Sequence, residues 1–146
     1  MKYNIYVKTT IKPPRRADAS AMYLVEYISD NKPDEPATLT DFLQLPETTE
    51  TALVLTALIK ALNRIVKPCE ICIFTECKPI FANLESRVYE GWRGSKWHGT
   101  QGNIIKNNEL WEILSGQLLK HKWTVSDEKH SYSDWMEGEL KKWHKA

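Results

Sequence analysis

Between Trp92 and Lys106 the chain places Arg93, Lys96, His98 and Lys106 in one stretch with no acidic residue among them, and Trp92 and Trp97 are interleaved with the cations. Cationic side chains contact phosphates, and aromatic faces stack on sugars or bases, so the pattern suits a nucleic-acid strand. Asn107 follows Lys106 and adds an amide to the same stretch. Two readings of Trp97 stay open. It lies in a glycine-bounded loop, where the ring could meet a ligand, and an indole serves equally well as core. Trp111 sits at helical spacing from apolar neighbours and reads as core.

Other chemistries find little support. Cys69, Cys72 and Cys77 are an odd set, and Cys69–Cys72 is half of a zinc pattern whose other half is missing. They read as free, buried thiols. Cys77 adjoins Glu76, and a neighbouring acid disfavours a thiolate. The glycines are scattered around the tryptophans and form no phosphate-cradling loop. Net charge is +1, so the molecule as a whole does not advertise an anionic partner. Its distribution is uneven. Residues 1–16 carry Lys2, Lys8, Lys12, Arg15 and Arg16 without an acid, whereas residues 26–50 carry seven acids against Lys32 alone.

These side chains need a scaffold, and 146 residues suffice for one domain over residues 1–146 with a sizeable core. The N-terminus is too short and polar for a signal peptide, and no apolar run reaches membrane-spanning length, so a cytoplasmic chain without membrane contact is expected. Residues 3–7 read as a strand ended by Pro13–Pro14, 21–29 as a second strand, and 37–45 as a third closed by Pro46. Thr48 or Thr49 caps a helix that continues through Val66. Residues 70–76 form a continuous apolar strand of the kind covered on both faces. A helix from Pro79 to about Tyr89 follows, then a loop over 91–107, a helix over 109–120, a strand over 121–125 and a helix over 131–142. The order predicts an α/β (mixed) fold: a five-stranded mixed sheet, three antiparallel strands and then parallel ones, with helices on both faces.

The run Trp92-Arg93…Trp97-His98…Ile105-Lys106-Asn107-Asn108-Glu109-Leu110-Trp111, preceded by a strand ending at Glu76 and followed by Lys129-His130, resembles the second half of a type 1 ribonuclease H. The resemblance implies the ribonuclease H fold, RNA–DNA hybrid or another duplex as partner, and Arg93, Lys96, Trp97, His98, Lys106 and Asn107 as nucleic-acid-binding positions. It also implies four carboxylates that hold two Mg²⁺ ions. Those ions lie only ~4 Å apart and need several negative ligands. Carried over one at a time, the strand-one aspartate is Lys8, the first-helix glutamate is Thr51 with Glu50 adjacent, and the strand-four aspartate is Glu76. The last-helix acid is Glu137, with Asp134 and Glu139 as alternatives. The family's mobile histidine corresponds to His130.

Lys8 carries the most weight. An ammonium at the metal-bridging position has the metals' own sign and pairs instead with Glu76. Two unit charges 4 Å apart interact by about 4 kcal/mol at an effective dielectric of 20. The resulting expectation is a duplex-binding module with impaired catalysis and no cofactor. Two alternatives stand beside it: an active Mg²⁺-dependent hybrid ribonuclease using Glu50, Glu76 and Glu137, and a protein-interaction domain reusing the fold.

Overall fold

The computed structural model describes residues 2–11 and 15–145. Lys12, Pro13 and Pro14, which include the stop expected for the first strand, lie outside the described residues. Strand β1 spans Lys2–Thr9, β2 Arg16–Ile28 and β3 Ala37–Thr49, followed by helix α1 (Glu50–Leu62) and strand β4 (Glu70–Phe74). Helices α2 (Lys78–Ser86), α3 (Val88–Gly94) and α4 (Asn108–Leu118) come next, then β5 (Lys122–Ser126) and α5 (Ser133–Lys145). The sheet order is β3-β2-β1-β4-β5. β1, β2 and β3 are mutually antiparallel, while β4 adds parallel to β1 and β5 parallel to β4. This is the mixed five-stranded sheet expected from the element order.

Alternation along the strands divides the apolar side chains between two faces. Ile5, Val7, Tyr23, Val25, Ile71 and Ile73 join a large core with Leu53, Leu58, Leu84, Trp111 and Leu114 from α1, α2 and α4. Tyr6, Met22 and Leu24 point the other way and meet Met136 and Leu140 of α5. Helices therefore cover both faces. Helix α1 is capped by Thr49, whose side chain accepts from the Ala52 N–H at 3.3 Å.

Several boundaries differ from the sequence reading, each for a physical reason. β3 runs through Pro46 to Thr49 because it is an edge strand, where a missing N–H breaks no ladder bond. On the same strand the Asp41 carboxylate accepts the N–H of Phe42 at 2.8 Å. α1 ends at Leu62, four residues early. The next N–H groups bond three residues back, Arg64 to Ala61 and Ile65 to Leu62, which leaves Val66 exposed. The single helix expected to Tyr89 breaks at Arg87, which is left-handed at φ 60° and separates α2 from α3. Residues 91–94, read as loop, are helical despite Gly91 and Gly94. Tyr89 and Trp92 pack on Trp111, and that contact overrides weak propensity. Cys77 is buried, but Cys69 and Cys72 are only half-buried; all three are free.

Trp111, 2% exposed, joins α4 to α3 by stacking on Tyr89 and meeting Trp92 edge-on. Replacing Trp111 by Ala is expected to cost about 3–5 kcal/mol, read as a lower urea midpoint with an unchanged denaturant slope.

Candidate functional site

β1 and β4 lie side by side in register, with Tyr6 opposite Phe74. Two residues further on, Lys8 and Glu76 leave the sheet on the same face, and the Lys8 ammonium donates to Glu76 Oε1. The Lys8 side chain is 13% exposed and that of Glu76 57%, so the cation is enclosed and its partner faces water. A cleft of about 140 Å³ opens here, and Glu50 and Glu137 line it with this pair. Three glutamates thus line the cleft that holds the Lys8 ammonium. Thr51, the aligned position on the first helix, lies outside this cleft; the adjacent acid Glu50 reaches it instead. Of the three candidates on the last helix, Glu137 lines the cleft and Asp134 its outer mouth, where it pairs with Lys129 at 3.3 Å. Glu139 pairs with Lys142 at 3.6 Å and lines neither.

Each of the three glutamates is engaged by a neighbour. Lys8 holds Glu76, Lys141 lies 3.5 Å from Glu137, and Glu50 lies against the Cys77 thiol. Burial, with Glu50 adding to it, pushes that thiol up to about 12, so Cys77 is no nucleophile. Among the described residues no group of three or more His, Cys, Asp or Glu side chains could hold a metal ion. With a cation inside the cleft, this donor set does not fit a pair of divalent ions.

His130 packs its ring 4.2 Å from Tyr6 and also meets Phe74 edge-on. Burial first, and the charge of Lys8 second, hold its pKa below the ordinary 6.5. The segment it belongs to is tethered by a buried carboxylate that sequence reading did not anticipate. Glu26, 8% exposed, accepts from Asn4 Nδ2 and the Tyr6 hydroxyl at 2.9 Å and from the Tyr132 hydroxyl at 2.6 Å. Burial alone would raise this carboxyl, but the three donors outweigh it and hold it below 4.5. The alternation of Asn4 and Tyr6 placed those two on one face; no local signal joined them to Tyr132, 106 residues from Glu26.

Beside the cleft runs a groove of about 340 Å³. Trp92, Trp111 and Pro79 give it an apolar floor, and Arg15, Lys106 and Asn107 a polar rim. Asn83 and Thr49 also border it and were missed, because neither stands out in its own segment. Arg93, in the last turn of α3, and Lys96 and His98 on the loop after it stay exposed. Trp97 resolves to core. It is 7% exposed, and Lys96 and Trp97 are both left-handed, which turns the chain so that the indole drops inward. The Trp97 backbone N–H donates to Trp92 O at 2.6 Å, and its carbonyl accepts from the Ile105 N–H at 2.8 Å. The expected role of Trp97 in strand contact is therefore corrected: the ring is spent on packing, and Trp92 holds the groove position.

This arrangement of strands and helices is shared with solved proteins. LC9-RNase H1, a type 1 RNase H with the type 2 active-site motif, superimposes with a TM-score of 0.72 at 16% identity, covering 97% of this chain and 71% of that one. RNase H1 from the halophilic archaeon Halobacterium salinarum gives 0.62 at 10% identity, covering 94% and 93%. The chain has a ribonuclease H-like fold. Curated relatives agree in sequence: Ribonuclease H of Erythrobacter litoralis is 33% identical over 79 residues and that of Agrobacterium fabrum 30% identical over 79. Each match takes in 54% of this ribonuclease H-like chain, and it spans about half the length of these relatives. No family model matches.

His121, His130 and Glu26 set the acid limb of stability. Burial also holds His121 below 6.5, so the folded chain binds fewer protons than the unfolded chain just below that pH. Stability should fall as pH drops below 6.5, and again below 4.5 as Glu26 takes up its proton. Urea midpoints at pH 7.5 and pH 5 measure the first limb. His130→Phe, which keeps the stack on Tyr6, should flatten it.

Proposed function

We propose that this chain is a ribonuclease H-like module that holds an RNA–DNA hybrid or related duplex without hydrolysing it. The observation that carries the reading is the Lys8–Glu76 pair inside the cleft. A metal-ion nuclease needs several carboxylates free to take cations, and here a fixed ammonium already neutralises the most central one. The same charge lowers the gain from any incoming divalent ion, because Coulomb repulsion between like charges grows inside an enclosed site.

The groove supports the binding half of the proposal. Arg15 and Lys106 would neutralise backbone phosphates, and the amides of Asn83 and Asn107 would add neutral hydrogen bonds that set register. The half-buried face of Trp92 offers a flat apolar surface for a sugar or base. Exposed Arg93, Lys96 and His98 extend the cationic track past the groove. A likeness in fold points the same way: a foamy viral protease–reverse transcriptase solved in complex with RNA/DNA hybrid superimposes with a TM-score of 0.68 at 13% identity, covering 95% of this chain and 19% of that one. The duplex would lie across the groove with one strand passing the cleft.

One observation favours a second reading. Glu50, Glu76 and Glu137 do line a single cleft, so an active Mg²⁺-dependent nuclease built on these three is the alternative.

Fluorescence anisotropy with a labelled hybrid separates the readings. Three or four phosphate contacts predict roughly 40- to 150-fold weaker binding at 200 mM than at 50 mM salt. Lys106→Ala should weaken binding and flatten the salt slope by about one. Incubation with Mg²⁺ or Mn²⁺ should leave the RNA strand intact. Metal-dependent cleavage lost in Glu76→Gln would establish the nuclease instead, and no binding at either salt would leave the fold serving a protein partner.

The cleft also predicts the effect of removing its cation. Lys8→Asp changes the local charge by two units and frees Glu76. Calorimetric titration should detect Mg²⁺ binding in Lys8→Asp at concentrations where the parent shows none.

A further inference from the structure

β5 is the short edge of the sheet, with β4 on one side and no strand on the other. Backbone groups alternate in direction along a strand. Lys122 donates its N–H to Cys69 O at 3.0 Å, and the Ser126 carbonyl accepts from the Thr75 N–H at 3.0 Å, which turns both residues toward β4. Thr124, midway between them, shares their direction. Trp123 and Val125 therefore point their N–H and C=O groups outward, where no strand meets them. The strand has no proline and keeps an unbroken register with β4. Trp, Thr and Val are good strand formers. Such an edge is a template for another chain.

The flanking charges select that chain. Lys120 and Lys122 stand at the start of β5, and Asp127 and Glu128 follow its end. All four side chains are exposed, and no ion pair engages them among the described residues. A strand laid antiparallel along this edge brings its end to the basic start and its start to the acidic end. The complement of the edge is therefore the edge itself. A two-fold axis through Thr124 sets Trp123 opposite Val125 of a second copy, and Val125 opposite its Trp123. Both are the outward-facing residues, and each such pair can exchange two ladder hydrogen bonds. The same axis brings Lys120 toward Glu128 of the second copy and Glu128 toward its Lys120. Lys122 falls opposite Ser126, about 13 Å along the strand from the other Lys122. Like charges do not face each other, and opposite charges do. We infer that β5 is a homodimer interface, along which two copies pair antiparallel and join their five-stranded sheets. The duplex groove contributes no residue to this edge, and the inference does not rest on duplex binding.

Sedimentation velocity of the whole chain, over a concentration series into the submillimolar range, tests it. The parent should pass from monomer to dimer. Lys120→Glu places an acid against Glu128 of the second copy, and Glu128→Lys places a cation against its Lys120. Each variant should weaken self-association at least about tenfold. Both positions are exposed, and the unfolding midpoints should stay near the parent's. Mixing the two variants restores opposite signs at both contacts, and a mixed dimer of strength near the parent's should form. A parent that stays monomeric throughout the series overturns the interface. A dimer that neither variant weakens, or folded variants that fail to associate on mixing, overturns the β5 pairing.

Discussion

An ammonium and a carboxylate meet where β1 and β4 run out side by side, and the character of the cleft follows from that contact. The parallel pairing of the two strands fixes the meeting: with Tyr6 opposite Phe74, the side chains two residues later emerge together. Lys8 is enclosed and Glu76 is not, so the pair is asymmetric; the cation has lost most of its water and depends on its partner. Glu50 and Glu137 then find a positive centre already in place. Both line the same cleft as that centre, Glu137 beside Lys141 and Glu50 against the Cys77 thiol.

Further back along the same face of β1, the histidine segment is held in place. A single buried carboxylate, Glu26, collects an amide from β1 and hydroxyls from β1 and from Tyr132, just ahead of α5. The tyrosine hydroxyls donate, so their own ionisation is suppressed, that of Tyr132 up to about 12. This clasp lies on the face that α5 covers, and His130, two residues before Tyr132, sits against Tyr6. Packed there, His130 has its proton affinity lowered by burial first and by Lys8 second.

Much of this was legible in the sequence where chemistry is local. Thr49 ahead of Glu50, the apolar run of β4 and the proline opening α2 each named their element, and the mixed sheet followed from the order of strands and helices. The basic stretch from Arg93 to Lys106 was found because cations without acids leave a plain signal. The convergence of Lys8 with Glu76 was legible only through the family resemblance, since 68 residues separate them. What failed was decided by tertiary contact. Gly91 and Gly94 suggested loop, but three aromatic rings stitched their segment into a helix. Trp97 stood among glycines, yet two successive left-handed residues sent it inward. Glu26 looked like any strand acid, because a buried carboxylate is recognisable only once its donors from distant segments are known.

The edge strand β3 has a wider implication. It is thirteen residues long and has a neighbour on one side only, which in many proteins invites another chain to pair along it. Here Pro46 offers no N–H, and Asp41 has folded its carboxylate back onto the N–H of Phe42. A visiting strand would meet one absent donor and one already taken, with a charge beside it. The border of the sheet is thereby shielded from runaway stacking by two side-chain choices, at no expense to the cleft or the groove.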